Sequence, residues 1–430
     1  MKALWKFFTS LRLTVVLLGL SVLLIFFGTL SQVDEGLWRS QKIWFESYVV
    51  TNQHLQLFGW KFVVPIFPGG YLIGFTLLAA LILAFIQRFT WKWNKLGVNL
   101  NHGGVILLLL GQLLTQQFAR ESFIEFKEGQ SKSYAEHHLR NELAFSHQTS
   151  PGRDEVVVIP ESMIQNGETI SAPSLPFTVR IKERGSNCQI RRRGPAIDGP
   201  AKATAGAGTE VTVVPLVESH DMDSRNLPYA YVEIFEKEKS LGTWLVTPWL
   251  SMLGAAPQEI SVDGKKFQVE LRFERFYQPF EMTLLKTSNE IYRGTDIPKN
   301  FRSRVRVVDT NTREAREVDI YMNHPLRYAG QTFYQARMGR EPDGERRGTS
   351  ALQVVSNPSW LTPYVGCYVV AVGMYLQFRQ HLVGFLNKRL SRGGEKKSSF
   401  WGSLAGRLLE GGVLGYLVLK FTLNLFGYSS

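Results

Sequence analysis

Residues Leu13–Val33, Phe62–Gln87, Leu96–Ala119 and Gly348–Phe378 contain no Asp, Glu, Lys or Arg. A membrane helix needs about 20 mostly apolar residues, so each stretch can supply one span. The periodicity and turn residues place them near 13–31, 70–87, 99–118 and 359–380. A mean hydropathy of -0.07 hides this, because the apolar blocks are averaged with a large polar region.

Lys and Arg in the short loops set orientation. Lys2, Lys6 and Arg12 precede the first span, and Arg88, Lys92 and Lys95 separate the second from the third. Arg379, Lys388, Arg389, Arg392, Lys396, Lys397 and Arg407 follow the fourth. All three groups fall on one side of a four-span chain, which makes that side the cytoplasm. The net charge of +12 is then an orientation and headgroup signal. The basic residues are juxtamembrane rather than an aromatic-interleaved patch, so nucleic acid is not an expected partner. Trp5, Trp60, Trp91, Trp93, Trp360 and Trp401 lie near span ends, as an aromatic belt does. The apolar part of residues 1–30 is too long for a secretory signal and lacks a clear cleavage site, so a retained anchor is expected.

The chain therefore divides into an N-terminal membrane region at 1–119, a large domain at 120–358, a fourth helix at 359–380 and a basic cytoplasmic tail at 381–430. In the tail, Lys420, Asn424 and Tyr428 share one helical face. Gly411–Tyr428 thus reads either as an interfacial helix or as a fifth span. The large domain falls outside the cytoplasm. Its segments Glu155–Ile159, Phe177–Ile181, Glu210–Pro215, Tyr229–Phe235, Lys266–Phe273, Arg304–Val308 and Glu317–Tyr321 read as strands, and several alternate apolar with polar residues. One or two β-sandwich-like layers are expected. The fold class is membrane α+β: four transmembrane helices with a large β-rich extracytoplasmic domain between the third and fourth. Gly194–Gly208 is rich in small residues and reads as a mobile loop. Arg191, Arg192 and Arg193 before it read as a solvated run or, less simply, as a site for an anionic group.

Cys188 lies in the exported domain and Cys367 in the fourth span, so a bond between them is not expected. The chain has no C-x-x-C, no C-x-x-C-H and no phosphate-binding G-x-x-x-x-G-K-[ST]. This excludes a thiol–disulfide oxidoreductase, a c-type cytochrome and an encoded ATP motor. No nucleophile–base–acid set stands out. His54, His137, His138, His147 and His220 read as surface or turn residues, and His381 as interfacial. His324 reads as a corner between strands.

His102 differs. It opens the charge-free helix Leu100–Ala119. An ionisable side chain inside a membrane span is costly and marks function by default, and imidazole is a common iron ligand. The bland alternative is a helix-end histidine bonded to a neighbour. Gly104 and Gly111, seven residues apart, suit close packing on another helix. His102, two positions before Gly104, points about 160° away from that seam.

Motifs along the chain resemble those of the ResB (CcsB-type) family, the System II cytochrome c biogenesis proteins. They are Ser10-Leu11-Arg12 and Gly28-Thr29-Leu30-Ser31-Gln32 around the first span, and Pro65-Ile66-Phe67-Pro68-Gly69-Gly70-Tyr71 entering the second. The third span carries Gly97-x-x-Leu100-x-His102-x-Gly104 and Gly111, with Glu121-Ser122 and Glu128-Gly129 after it. Asn323-x-Pro325-Leu326-x-Tyr328-x-Gly330-x-x-x-Tyr334-Gln335 closes the exported domain. The resemblance covers roughly Met1–His381 and leaves the tail uncovered. It implies a subunit of the cytochrome c synthase. The family occurs in bacterial and thylakoid membranes, and the short basic N-terminus without a transit-like segment points to a bacterial cytoplasmic (inner) membrane, with a cytoplasmic N-terminus and a periplasmic domain. It further implies that the chain moves non-covalent haem b outward for attachment to C-x-x-C-H of apocytochrome c, with His102 as an axial ligand of the haem iron. The implied partners are a CcsA-type multi-span protein, the apocytochrome and a thiol-reducing thioredoxin-like membrane protein. No residue reads as the catalytic acid or base of a haem lyase, so a non-catalytic or co-catalytic role is expected. The rival reading is a haem-free scaffold or chaperone anchored in the bilayer.

Overall fold

A computed structural model describes residues 2–150, 153–194, 198–220, 225–295, 298–340 and 348–392. The segment Gly411–Tyr428 lies outside the described residues, as do Lys396, Lys397, Trp401, Arg407 and residues 195–197. The chain forms two compact units.

The first unit is helical, drawn from residues up to Leu20, Ile73–Gln117 and the chain from Ser359. Three helices have the length and composition of membrane spans: α1 (Leu11–Glu35), α2 (Gly70–Arg88) and α3 (Leu96–Phe118). The fourth, α4 (Thr362–Arg392), is less apolar and runs twelve residues past the expected end at Gln380. Loss of hydropathy there does not end the helix, because Lys, Arg and Leu are good helix formers whose long stems cover apolar surface.

Gly97, Gly104 and Gly111 form a buried seam on α3. A Cβ on Gly97 would meet Gly373 O and Gln377 N of α4 at 2.8 Å, one on Gly104 would meet Val370 Cγ2 at 2.6 Å, and one on Gly111 would meet Thr362 Cγ2 at 2.6 Å. Gly366 and Gly373 repeat the seven-residue spacing on α4. Small residues let backbones approach, which is how membrane helices gain packing without a hydrophobic drive between them.

The second unit comprises Ser21–Leu72 and Phe118–Pro358. It holds a β-hairpin that was not expected: β1 (Val49–Leu57) and β2 (Trp60–Pro68). The charge-free run Phe62–Gln87 spans both β2 and α2, and hydropathy alone does not separate them. Proline does: Pro65 offers no N–H to the ladder and lies in the register gap opposite Asn52, which takes φ 49°.

The remainder of this unit is β-rich, as expected, and its organisation rests on two long strands, β4 (Ser131–Ser150) and β13 (Lys265–Ile291). Their halves serve two cores. The distal halves pair with β5 (Arg153–Pro160) and β12 (Gln258–Val262). This sheet packs on β6 (Thr169–Ser171), β7 (Thr178–Gly185), β10 (Tyr229–Glu236) and β11 (Lys239–Val246), burying Leu143, Phe145, Val179, Ile181, Val232, Ile234 and Val269. The proximal halves continue into β3 (Arg120–Lys127), β14 (Pro298–Asp309), β15 (Glu314–Tyr321), β16 (Leu326–Tyr328), β17 (Gln331–Arg340) and β18 (Gly348–Ser356). Their core holds Ile124, Met282, Leu284, Val305, Phe333 and Leu352. A small sheet of β8 (Cys188–Arg192) and β9 (Val211–Pro215) lies over Cys188, Tyr229, Tyr231 and Leu245.

The described part of Gly194–Gly208 is anchored rather than mobile. Thr204 N and Ala205 N donate to Thr243 O, and Ala203 and Gly208 are buried. Its small residues allow a close approach, since a Cβ on Gly208 would fall 2.6 Å from Ala203 Cβ and Leu245 Cβ. The arginine run is also engaged: Arg191 grips Asp198, with Nη1–Oδ2 at 2.9 Å, and Arg193 donates to Gly199 O. Cys188 is a free, buried thiol pushed up to about 11 by burial, partly offset by Thr247, and Cys367 is free and exposed.

Candidate functional site

His102 is exposed on α3, on the side away from the glycine seam. With His102, exposed residues recur at Val105, Leu109, Gln112 and Gln116, one stripe at helical spacing. His102 Nδ1 lies 2.9 Å from Val98 O. A carbonyl can only accept, so Nδ1 is the donor, and the neutral ring compatible with this bond is the one whose Nε2 holds the lone pair. A carbonyl behind the ring in this way fixes the tautomer and orientation of metal-binding histidines.

One turn of polar side chains surrounds this position. Asn101 Nδ2 donates to Gln377 Oε1 at 2.8 Å, and Asn99 Nδ2 donates to Thr90 O at 2.9 Å. Asn101 Oδ1 is buried with no donor among the described atoms. The Asn101–Gln377 pair was not singled out in the sequence. An Asn near the seam glycines, facing a Gln near the end of the next apolar block, was the available signal. Gln380 Nε2 donates to Trp93 O at 3.1 Å at the same end of the helix pair.

The histidines of the β-domain are structural. Four residues of β4, His137–Arg140, stand opposite Glu274 alone on β13, between the pairs Glu136–Arg275 and Asn141–Phe273. This bulge strips amides of ladder partners, and His137 Nδ1 accepts from both Leu139 N and Arg140 N at 3.0 Å. His137 is therefore a half-buried cap rather than a surface residue. Arg225 closes the same bulge, donating to His137 O and His138 O at 3.1 Å while stacking on Phe273. His324 holds the expected corner: it stacks on Tyr321 at 4.5 Å, and Asn323 takes φ 62°. His147 is half-buried against Phe267.

Burial, then the nearby Arg140, His138 and Arg225 charges, lower His137 from 6.5 to about 4. The unfolded chain therefore binds this proton more readily than the folded one. The stability contributed is full above about 6.5 and is lost as pH falls toward about 4. His137→Asn, which keeps an acceptor and cannot titrate, is expected to lose less thermal midpoint than the native chain between about pH 7 and about pH 4.5, the window in which the native histidine would titrate. Equal losses would show that His137 is not the titrating group.

The remaining motif residues shape the backbone. Glu128 accepts from Thr287 N and Oγ1 at 2.5 and 2.6 Å; burial alone would raise its carboxyl, but these bonds and Lys286 hold it below the usual range. Ala329-Gly330, both at positive φ, make the two-residue turn of the β16–β17 hairpin. Gln335 joins Ser303 and Ser350 inside the proximal core. Among the described residues no group of three or more His, Cys, Asp and Glu side chains could hold a metal.

Apolar helices of spanning length joined to a large β-domain define a membrane protein with a folded domain outside the hydrocarbon. Residues 251–349 match the model of the ResB-like family. Protein NrfI of Wolinella succinogenes is 23% identical over 300 residues, which covers 69% of this chain and 29% of NrfI. The chain thus spans less than a third of that relative's length. Over residues 251–349 the chain is similar to the ResB-like family. The family match runs from the turn before β12 to the first residues of β18, where β13 to β15 build one wall of the proximal core.

Proposed function

We propose that this chain is a subunit of a System II cytochrome c synthase that receives haem b in the membrane at His102 and helps pass it outward to apocytochrome c. The observation that carries this reading is the His102–Val98 bond on the exposed side of α3, which turns Nδ1 to the backbone and leaves Nε2 facing away from it. Haem iron takes its axial ligands from such nitrogens. The helix offers one ligand, so the second comes from a CcsA-type partner. Lys95 lies seven residues before His102, about 10 Å along the axis on the same face, where its ammonium can neutralise a propionate.

In this reading α4 is the fourth span. It packs along the seam of α3 from Thr362 to Gln377, so the two share their depth, and its cationic end from Arg379 onward reaches the cytoplasmic headgroups. The positive-inside rule then puts the N-terminus in the cytoplasm and the β-domain in the periplasm of a bacterial inner membrane. The β-domain receives the apocytochrome or shapes the partner's outer haem site, and a thioredoxin-like membrane protein keeps the substrate thiols reduced.

The test is a reduced-minus-oxidised spectrum of the protein purified with a CcsA-type partner. His102→Ala is expected to lose most of the haem signal and to recover it with added imidazole. Unchanged haem content and unchanged cytochrome maturation would overturn the ligand role and leave a scaffold.

A further inference from the structure

The β1–β2 hairpin ends in a two-residue turn, Phe58-Gly59, with Leu57 paired to Trp60. Phe58 has φ 49° and Gly59 φ 83°, the left-handed pair that such a turn needs. Asn or Gly suits the first position; a bulky aromatic there costs about 1 kcal/mol or more. Phe58 recovers nothing from packing, because it is 94% exposed, and Trp60 beside it is 80% exposed. Val49, Val63 and Ile66 extend the exposed apolar surface along the hairpin. Lys61 is the one charged residue in Val49–Pro68.

The opposite face shows the depth at which the hairpin lies. Phe27 of α1 meets Phe62 at 6.3 Å, Phe67 at 5.5 Å and the fully buried Trp44 at 5.8 Å between ring centroids. Phe27 belongs to the charge-free run of α1 and precedes the charge that ends that run, Asp34, by seven residues, about 10 Å of helix. The zone between water and hydrocarbon is about 5–8 Å thick, so the hairpin's inner face lies near the acyl boundary. Full insertion is ruled out, since two strands leave open edges whose N–H and C=O groups need partners that hydrocarbon lacks.

We infer that the β1–β2 hairpin is an interfacial membrane anchor whose Phe58-Gly59-Trp60 tip inserts among lipid headgroups and upper acyl chains. Trp60 has the amphipathic ring that such a zone favours, and Lys61 can reach anionic headgroups from its long stem. The helical stretch Leu37–Phe45 leads from α1 to the hairpin, and Gly69 alone separates the hairpin from α2.

The experiment uses the full chain with Cys367→Ala, in vesicles of phosphatidylethanolamine and phosphatidylglycerol; Cys188 is buried and stays. An environment-sensitive fluorophore is attached at Phe58→Cys, at Val22→Cys in the charge-free run of α1, and at Asn311→Cys in the polar β14–β15 turn. The label at position 58 is expected to emit to the blue of that at 311. Lipids with a nitroxide high on the acyl chain should quench it about twofold or more, as expected for an interfacial aromatic site. Water-like, unquenched emission at 58 alongside quenched emission at 22 overturns the inference. Emission at 58 that shifts only when a CcsA-type partner is added also overturns it and assigns the tip to a protein contact.

Discussion

Arg272→Ala is expected to destabilise the β-domain by about 3–5 kcal/mol, the cost of leaving a buried charge without its partner. Arg272 and Glu142 are cross-strand neighbours on β13 and β4, 7% and 6% exposed, with Nε–Oε1 at 2.8 Å. Arg272 also reaches Glu270 at 3.7 Å and Tyr277 Oη at 3.3 Å. The pair stands next to the His137–Arg140 bulge, where both long strands pass from one core to the other. Its loss therefore weakens two packed layers at once. The double variant Arg272→Ala, Glu142→Ala should recover part of the loss, because no lone carboxylate is then buried. The thermal midpoints of single and double variants of the full chain in nanodiscs measure this. A single variant within about 1 kcal/mol of native would mean that the pair is solvated, as exposed pairs are.

The second large effect falls in the membrane. Gly104→Leu places a side chain where even a Cβ would lie 2.6 Å from Val370 Cγ2 and 3.1 Å from Gly366 O. Backbone cannot yield as a flexible side chain does, so α3 and α4 must separate along the seam. Overpacking of this kind costs about 1–3 kcal/mol or more, and it also removes the Asn101–Gln377 bond held by the same approach. Gly103→Leu is the matched control: its Cβ would meet Phe85 Cζ alone, at 4.0 Å. In detergent, the Gly104 variant is expected to aggregate at a clearly lower temperature than the Gly103 variant. Equal midpoints would show that the seam contributes no stability.

Much of the helical architecture is legible in the sequence because bilayer thickness imposes a length and a composition on any span. α1 and α3 extend the expected ranges by a few residues, and α2 begins at Gly70 as expected. The outward position of His102 follows from its two-residue offset from Gly104, since an α-helix turns about 100° per residue. The hairpin escapes this logic. Its second strand is as apolar as a span, and only Pro65 and the two-residue turn mark it as β.

Several strands of the β-domain are visible as alternation, but their partners are not. Nothing local in Lys265–Ile291 indicates that one strand serves two cores, because its pairing with β4 joins residues far apart in the chain. His137 is the clearest case. Its neighbours in sequence are polar, and it reads as a surface residue. Its role as a cap exists only because β4 carries four residues opposite Glu274 and so leaves two amides to be satisfied. The motif around His324 shows the reverse, since turn chemistry is local and its corner is readable without a fold.

By itself, then, the sequence determined the apolar helices, the β character of the domain after α3 and the two-residue offset of His102 from its seam. Each follows from periodicity, length or turn chemistry within a few residues. The tertiary structure alone decided the shared strands β4 and β13, the buried Arg272–Glu142 pair, the Asn101–Gln377 contact and the hairpin against Phe27. These depend on which distant segments meet, and that is set by packing two cores and a helix seam without voids or unpaired polar groups.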